Sequence, residues 1–126
     1  MTIVLDAGGL IAIERNDRNV WSALKGAAVR SEDVIVPSTV LAQVWRGSPT
    51  QAQLAKVLKY CVVATFDGLA RDVGVLCGRA NIHDICDAHV ALVASREGRI
   101  LYTSDPGDMK DLIRIIDKGR PEIVRC

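Results

Sequence analysis

The chain has 126 residues, the size of one compact domain, and 49% of them are hydrophobic, enough to enclose a single core. With 16 basic and 15 acidic residues the formal net charge is +1, which excludes a protein drawn to nucleic acid or anionic membrane by a global field, so any polyanion must be held locally. No apolar run approaches the roughly 20 residues of a membrane-spanning helix, "MTIVLDAGG" lacks the basic region of a leader, and Cys61, Cys77, Cys86 and Cys126 form no C-x-x-C pair; the chain therefore reads as cytoplasmic, with reduced thiols rather than zinc or disulfides.

In chain order, short β-rich runs alternate with stretches of helical periodicity. "TIVLD" predicts a first strand, followed by helices over 10–15 and 19–29. "VIVP" predicts a second strand, followed by helices over 38–46 and 49–60. "CVVATF" is the third, with helices over 69–79 and 85–97 behind it; "RILYTS" is the fourth, with a helix over 106–117; "EIVRC" is the fifth. Strands separated by helices imply right-handed crossovers, hence a mostly parallel sheet with helices on both faces. The expectation is a three-layer α/β sandwich forming one domain over 1–126, without repeat or linker.

Three acids occupy corresponding places in this pattern. Asp6 ends the first strand, Asp105 ends the fourth in "LYTSDPGDM", and Asp87 opens the apolar helix "DAHVALVA" just before that strand. Ligands of open parallel sheets bind beyond the carboxyl ends of the strands, which is where these side chains fall. Clustered carboxylates repel, by roughly 4 kcal/mol for a pair at ~4 Å and an effective dielectric of 20, so a cation is expected among them. Hard oxygen ligands suit Mg²⁺ or Mn²⁺, which retain waters and engage phosphate oxygens, and the chemistry indicated is metal-assisted phosphodiester hydrolysis. Capping competes with this reading. "DICD" and "DPGD" each place an Asp at a helix N-cap with an acid three residues on, and Pro106 suits a first helical position. Capping accounts for Asp84, which can also support Asp87 from the i, i+3 position.

At this point the chain resembles PIN-domain proteins of the VapC toxin type, through "IVLDAGGLIAI", "VIVPSTVLAQVWRG" and "DAHVALVASREGRILYTSDPGDM" and so over essentially its whole length. The resemblance implies a five-stranded parallel sheet ordered 3-2-1-4-5, which brings Asp6 and Asp105 together where the winding reverses. It implies catalytic, metal-binding acids at Asp6, Asp87 and Asp105, with Asp108 a weaker fourth. Asp67 then falls at the sheet edge, where it reads as a helix cap. Where the family carries a further acid, the matching position is Gln43; an amide oxygen can bind Mg²⁺ but brings no negative charge and cannot act as a general base. Thr103 and Ser104 are auxiliary candidates for orienting a carboxylate or donating to phosphate, and Arg46 for contacting phosphate. His83 is open to a substrate role and His89 reads as a core histidine. Trp21, Trp45 and Tyr60 read as core or interface residues rather than base-stacking platforms.

The function so implied is a Mg²⁺- or Mn²⁺-dependent endoribonuclease acting on RNA, the toxin of a type II toxin–antitoxin system, with a cognate antitoxin and a homodimer as partners. The apolar helical surfaces of "NVWSALKGAAV" and "QLAKVLKYCVV" agree with such partners. The alternative is a PIN-fold module that binds RNA or protein with little or no turnover, which Gln43 makes credible. Another α/β enzyme, such as a metal-dependent phosphatase or a phospho-acceptor receiver, fits less well: Asp6 is unpaired and "LYTSD" lacks the late Lys of a receiver.

Overall fold

The structure of the chain, a computed structural model, describes residues 1–126. Five parallel strands, β1 (Thr2–Leu5), β2 (Val34–Pro37), β3 (Val62–Ala64), β4 (Arg99–Thr103) and β5 (Glu122–Arg125), form one sheet ordered β3-β2-β1-β4-β5. Seven α-helices connect them: α1 (Ala7–Glu14) and α2 (Arg18–Val29), α3 (Ser38–Val44) and α4 (Ala52–Leu58), α5 (Ala70–Ala80) and α6 (Ile85–Ala94), and α7 (Pro106–Ile116). Crossovers of one hand place α1, α2 and α4 on one face. After β3 the winding reverses, and α5, α6 and α7 pack together on the other. Helix α3 touches both α1 and α6. The three-layer arrangement and strand order are those expected.

The apolar runs form the strands because both faces of a parallel sheet are covered. Val4, Leu5, Val36 and Leu101 are fully enclosed between Leu10, Ile13 and Val20 on one side and Val90, Ala91 and Met109 on the other. Register matters for the site: Leu5 pairs with Tyr102 and Thr103 with Arg125, so Asp6, Ser104, Asp105 and the end of β5 share one edge.

Several element ends differ from expectation for local reasons. Helix α1 starts at Ala7 rather than residue 10, because the Asp6 side chain caps it. Helix α3 stops at Val44 rather than 46. The buried Gln51 takes over there, its Nε2 donating to Val44 O (2.9 Å) and Glu14 Oε1 (2.7 Å) while its Oε1 accepts from Arg46 N (2.8 Å). The helix expected over 49–60 is a 3₁₀ turn, Pro49–Gln51, followed by α4. Asp67 is not a cap: it lies within the 3₁₀ turn Asp67–Leu69, whose N-cap is Phe66, and its side chain makes no capping hydrogen bond. The four cysteines are free thiols, all half-buried, and no helix is long and apolar enough to cross a membrane.

Candidate active site

Asp6 joins β1 to α1. Its Oδ1 accepts the Gly9 N–H at 3.1 Å, satisfying one of the orphan donors of the helix start. The next turn is glycine for a steric reason: a Cβ on Gly8 would lie 2.7 Å from Ser104 Cβ and Oγ and 2.8 Å from Ser104 N. This close approach seats the start of α1 against the end of β4. The Asp6 carboxyl is 6% exposed, and burial pushes its pKa above the ordinary value. The Thr103 hydroxyl and the Gly9 and Gly8 N–H groups oppose that rise, whereas the Asp105 charge adds to it.

The other acids sit at the starts of α6 and α7. Asp84 caps α6, accepting the Asp87 N–H at 3.0 Å, and Asp105 caps α7, accepting the Asp108 N–H at 3.4 Å. Asp87, half-buried in the first turn of α6, is pushed up to about 6, first by burial, then by Asp84, Asp6 and Asp108. Asp108 is exposed and also raised, its hydrogen bond and repulsion with Asp105 leading. These five carboxylates therefore act on one another. None is paired with a cation: the ion pairs of the protein are Glu32 with the N-terminus and with Arg30, and Asp111 with Arg114.

The remaining candidates divide. Thr103 is completely buried; its hydroxyl faces Asp6 and accepts the Asp105 N–H at 3.0 Å, tying the two acids together and leaving no route to a phosphate. Ser104 is exposed beside Gly8, and its carbonyl accepts from Arg125 at 3.3 Å. Gln43 is exposed and makes no hydrogen bond, on a helix packed between α1 and α6, the two elements that carry Asp6 and Asp87. Arg46 folds back on its own helix, donating to Ala42 O (3.3 Å) and Trp45 O (2.8 Å). His83 is exposed, whereas His89 is fully buried, with Nδ1 2.8 Å from Thr39 Oγ1 and its ring edge-on to Phe66 at 5.4 Å. Sequence reasoning missed Gln51, whose role depends on partners 7 and 37 residues away. It also missed Cys126, pushed up to about 11 by burial and by Asp6 and Asp17.

The donor set is all carboxylate oxygen and carries uncompensated charge, with Asp6 and Asp87 raised first by burial and further by neighbouring carboxylates, which is the chemistry of a hard divalent cation's surroundings. No three His, Cys, Asp or Glu side chains stand close enough to hold one ion between them. The fit is therefore to an ion that keeps most of its waters and takes one or two carboxylates directly, as Mg²⁺ does.

No protein-family model matches the chain, and no curated protein matches it in sequence. In structure it is similar to a chain of VapBC2 from Rickettsia felis, crystallised bound to a DNA fragment from their promoter: the TM-score is 0.69 at 17% identity, covering 99% of this chain and 98% of that one. The likeness is one of fold, and the fold is the PIN-like α/β arrangement with sheet order β3-β2-β1-β4-β5.

Proposed function

We propose that the chain is a Mg²⁺- or Mn²⁺-dependent endoribonuclease and the toxin component of a type II toxin–antitoxin pair, with a cognate antitoxin and a second copy of itself as partners. The observation that carries the reading is the convergence of Asp6, Asp84, Asp87, Asp105 and Asp108 at one sheet edge with none of them ion-paired. The likeness in fold to the VapBC2 chain supports the choice of a toxin–antitoxin context.

Asp6, Asp87 and Asp105 are the residues that would serve the metal, one or two of them binding it directly and the others through its waters, with Asp108 weaker at the rim. The bound ion would supply an activated water and neutralise the charge developing on the leaving oxygen. The chain's own residues prepare that place. Gly8 and Gly9 N–H groups and the Thr103 hydroxyl orient the Asp6 carboxylate and favour its ionised form against burial. Thr103 also fixes the backbone of Asp105, so both acids are set by one side chain. Asp84, holding the first turn of α6, aims Asp87 and raises its proton affinity.

The test is cleavage of labelled single-stranded and hairpin RNAs with Mn²⁺ or with chelator, beside Asp6→Asn. The expected result is metal-dependent product from the parent and none from the variant; equal product from both, or product in chelator, would overturn the reading.

A binding module without turnover is the second reading, and Gln43 favours it: an exposed amide stands where the family pattern has an acid. If a lost carboxylate weakened the site, Gln43→Glu should tighten Mn²⁺ binding and raise cleavage. A variant that does neither shows that position 43 plays no part at the site.

A further inference from the structure

We propose that the recess beneath β2 and β3 is a binding site for a small aliphatic carboxylate, whose charged head sits at a cationic mouth and whose apolar tail lies against the sheet. The recess, about 330 Å³, has Ile35 and Val62 of the sheet on one side and Leu69, Leu92, Val93 and Ile116 on the other. Helix α5 packs on α6 and α7, and Val62 is left 48% exposed, so a strip of sheet that a three-layer sandwich normally covers stays open. No aromatic ring lines it, and the hydroxyl of the buried Ser95 already donates to Ala91 O (2.6 Å).

Three cations, Arg96, Arg99 and Lys118, stand at the mouth. Two loops meet to place them. A Cβ on Gly119 would lie 2.6 Å from Arg96 Cα, so the chain after α7 rests on the backbone of the chain after α6. Arg99 opens β4 and is half-buried, its Nη1 donating to Val93 O. Burial, and then repulsion by Arg96, pushes its guanidinium below the ordinary pKa. None of the three cations belongs to an ion pair of the protein. Asp72 is the acid that lines the recess, whereas Glu97 and Asp117 are exposed and outside the lining. The last carbonyls of α6 and α7 also draw on the cations, each helix end acting as about half a negative charge. Asp72 and two helix ends, set against three cations, leave roughly one positive charge at the mouth.

One carboxylate balances that charge, and the planar forks of Arg96 and Arg99 suit it. A phosphate monoester brings nearly two charges and exceeds what the mouth offers. At ~30 Å³ for each water-sized volume, the recess has room for roughly eleven non-hydrogen atoms, the size of octanoate or decanoate. A tail without polar atoms matches the aliphatic walls. The recess lies by the C-terminal ends of α6 and α7, away from Asp87 and Asp105 at their N-terminal ends, and the inference is independent of the ribonuclease reading.

The experiment is calorimetric titration at neutral pH with carboxylates from acetate to tetradecanoate, with decanol and with decyltrimethylammonium, all below micelle-forming concentrations. Each methylene should tighten binding about fourfold as far as decanoate and no further, once the recess is full. Decanol should bind at least about tenfold more weakly than decanoate, for want of charged hydrogen bonds. Arg96→Gln/Lys118→Gln changes two exposed residues and so leaves the fold intact; it and Arg99→Gln should bring decanoate down to the level of decanol while leaving decanol itself unchanged. Lys25→Gln/Tyr60→Ser, in the separate apolar groove beside Trp21, should bind decanoate as the parent does. Acetate bound as tightly as decanoate would mean an adventitious anion only and overturn the proposal. Equal binding of decanol or of decyltrimethylammonium would overturn it too, as would affinity that climbs steadily through tetradecanoate, the mark of surface adsorption. Loss of binding in Lys25→Gln/Tyr60→Ser alone would assign the ligand to the other groove and defeat the site.

Discussion

Asp87 is the residue in which function and stability conflict. Its carboxyl is driven from 3.8 to about 6 by burial and by its neighbours, so the folded chain binds its proton more tightly than the unfolded chain does. A group raised in this way stabilises fully below the unfolded value, and that contribution is lost as pH rises through the folded value. In chelator, stability should therefore fall between about pH 4 and 6, and Asp6, raised in the same direction, should add to the fall. Two units correspond to ~3 kcal/mol, and partial exposure reduces this to about 1 kcal/mol. Asp87→Asn should remove most of the decline and be more stable than the parent at pH 7, while losing stabilisation by Mn²⁺. Melting curves at pH 4.5 and 7, each with and without Mn²⁺, check both effects; a variant less stable than the parent at pH 7 in chelator would refute the account of Asp87 as a strained, charged ligand. Thr103 shows the opposite economy, one buried hydroxyl serving two acids.

At the scale of elements, the site depends on how closely α1 approaches β4. Glycine in a helix interior usually costs about 1 kcal/mol relative to alanine. In the exposed middle of α5, a Cβ on Gly74 meets nothing within 4 Å, so Gly74→Ala should stabilise by roughly 0.5–1 kcal/mol. At Gly8 the same substitution sets a methyl against the Ser104 backbone, which cannot yield without moving Asp105. Overpacking of this kind typically costs 1–3 kcal/mol, so Gly8→Ala should destabilise by about 1–2 kcal/mol despite its better helix propensity. Urea denaturation of the two variants distinguishes a steric from a propensity effect, because the signs are opposite. Gln51 is the other device at this scale: it closes the end of α3 and ties it to α1 through Glu14.

For the molecule as a whole, near-neutral net charge conceals a local concentration of acid beyond the ends of β1 and β4 and at the start of α6. Since only the folded chain brings Asp6 and Asp105 together across β1 and β4, metal binding should stabilise it by mass action. Free Mn²⁺ at 100 times its dissociation constant contributes about 2.7 kcal/mol, or roughly 10 °C in Tm at about 4 °C per kcal/mol for a domain of this size. The gain should shrink below pH 6 as Asp87 takes up its proton. A Tm unmoved by millimolar Mn²⁺ at neutral pH would count against the metal centre.

Sequence alone determined what local forces decide. The alternation of apolar runs announced five strands and a three-layer sandwich, and the spacings in "DICD" and "DPGD" announced the caps at Asp84 and Asp105, because a cap acts over three residues. The order of strands was legible through family resemblance, since periodicity does not say which strands are neighbours. Tertiary structure decided the rest. Asp67 lies beyond β3 inside a 3₁₀ turn and caps nothing, α3 ends at Val44 where Gln51 of the following 3₁₀ turn takes its last carbonyl, and Thr103 is enclosed between two acids. Each of these outcomes turns on pairings such as Leu5 with Tyr102, nearly a hundred residues apart in the chain and adjacent only in the folded sheet. A carboxylate's burial, its repulsion by its neighbours and the face on which a lysine emerges are properties of that packing rather than of the residues beside it in sequence.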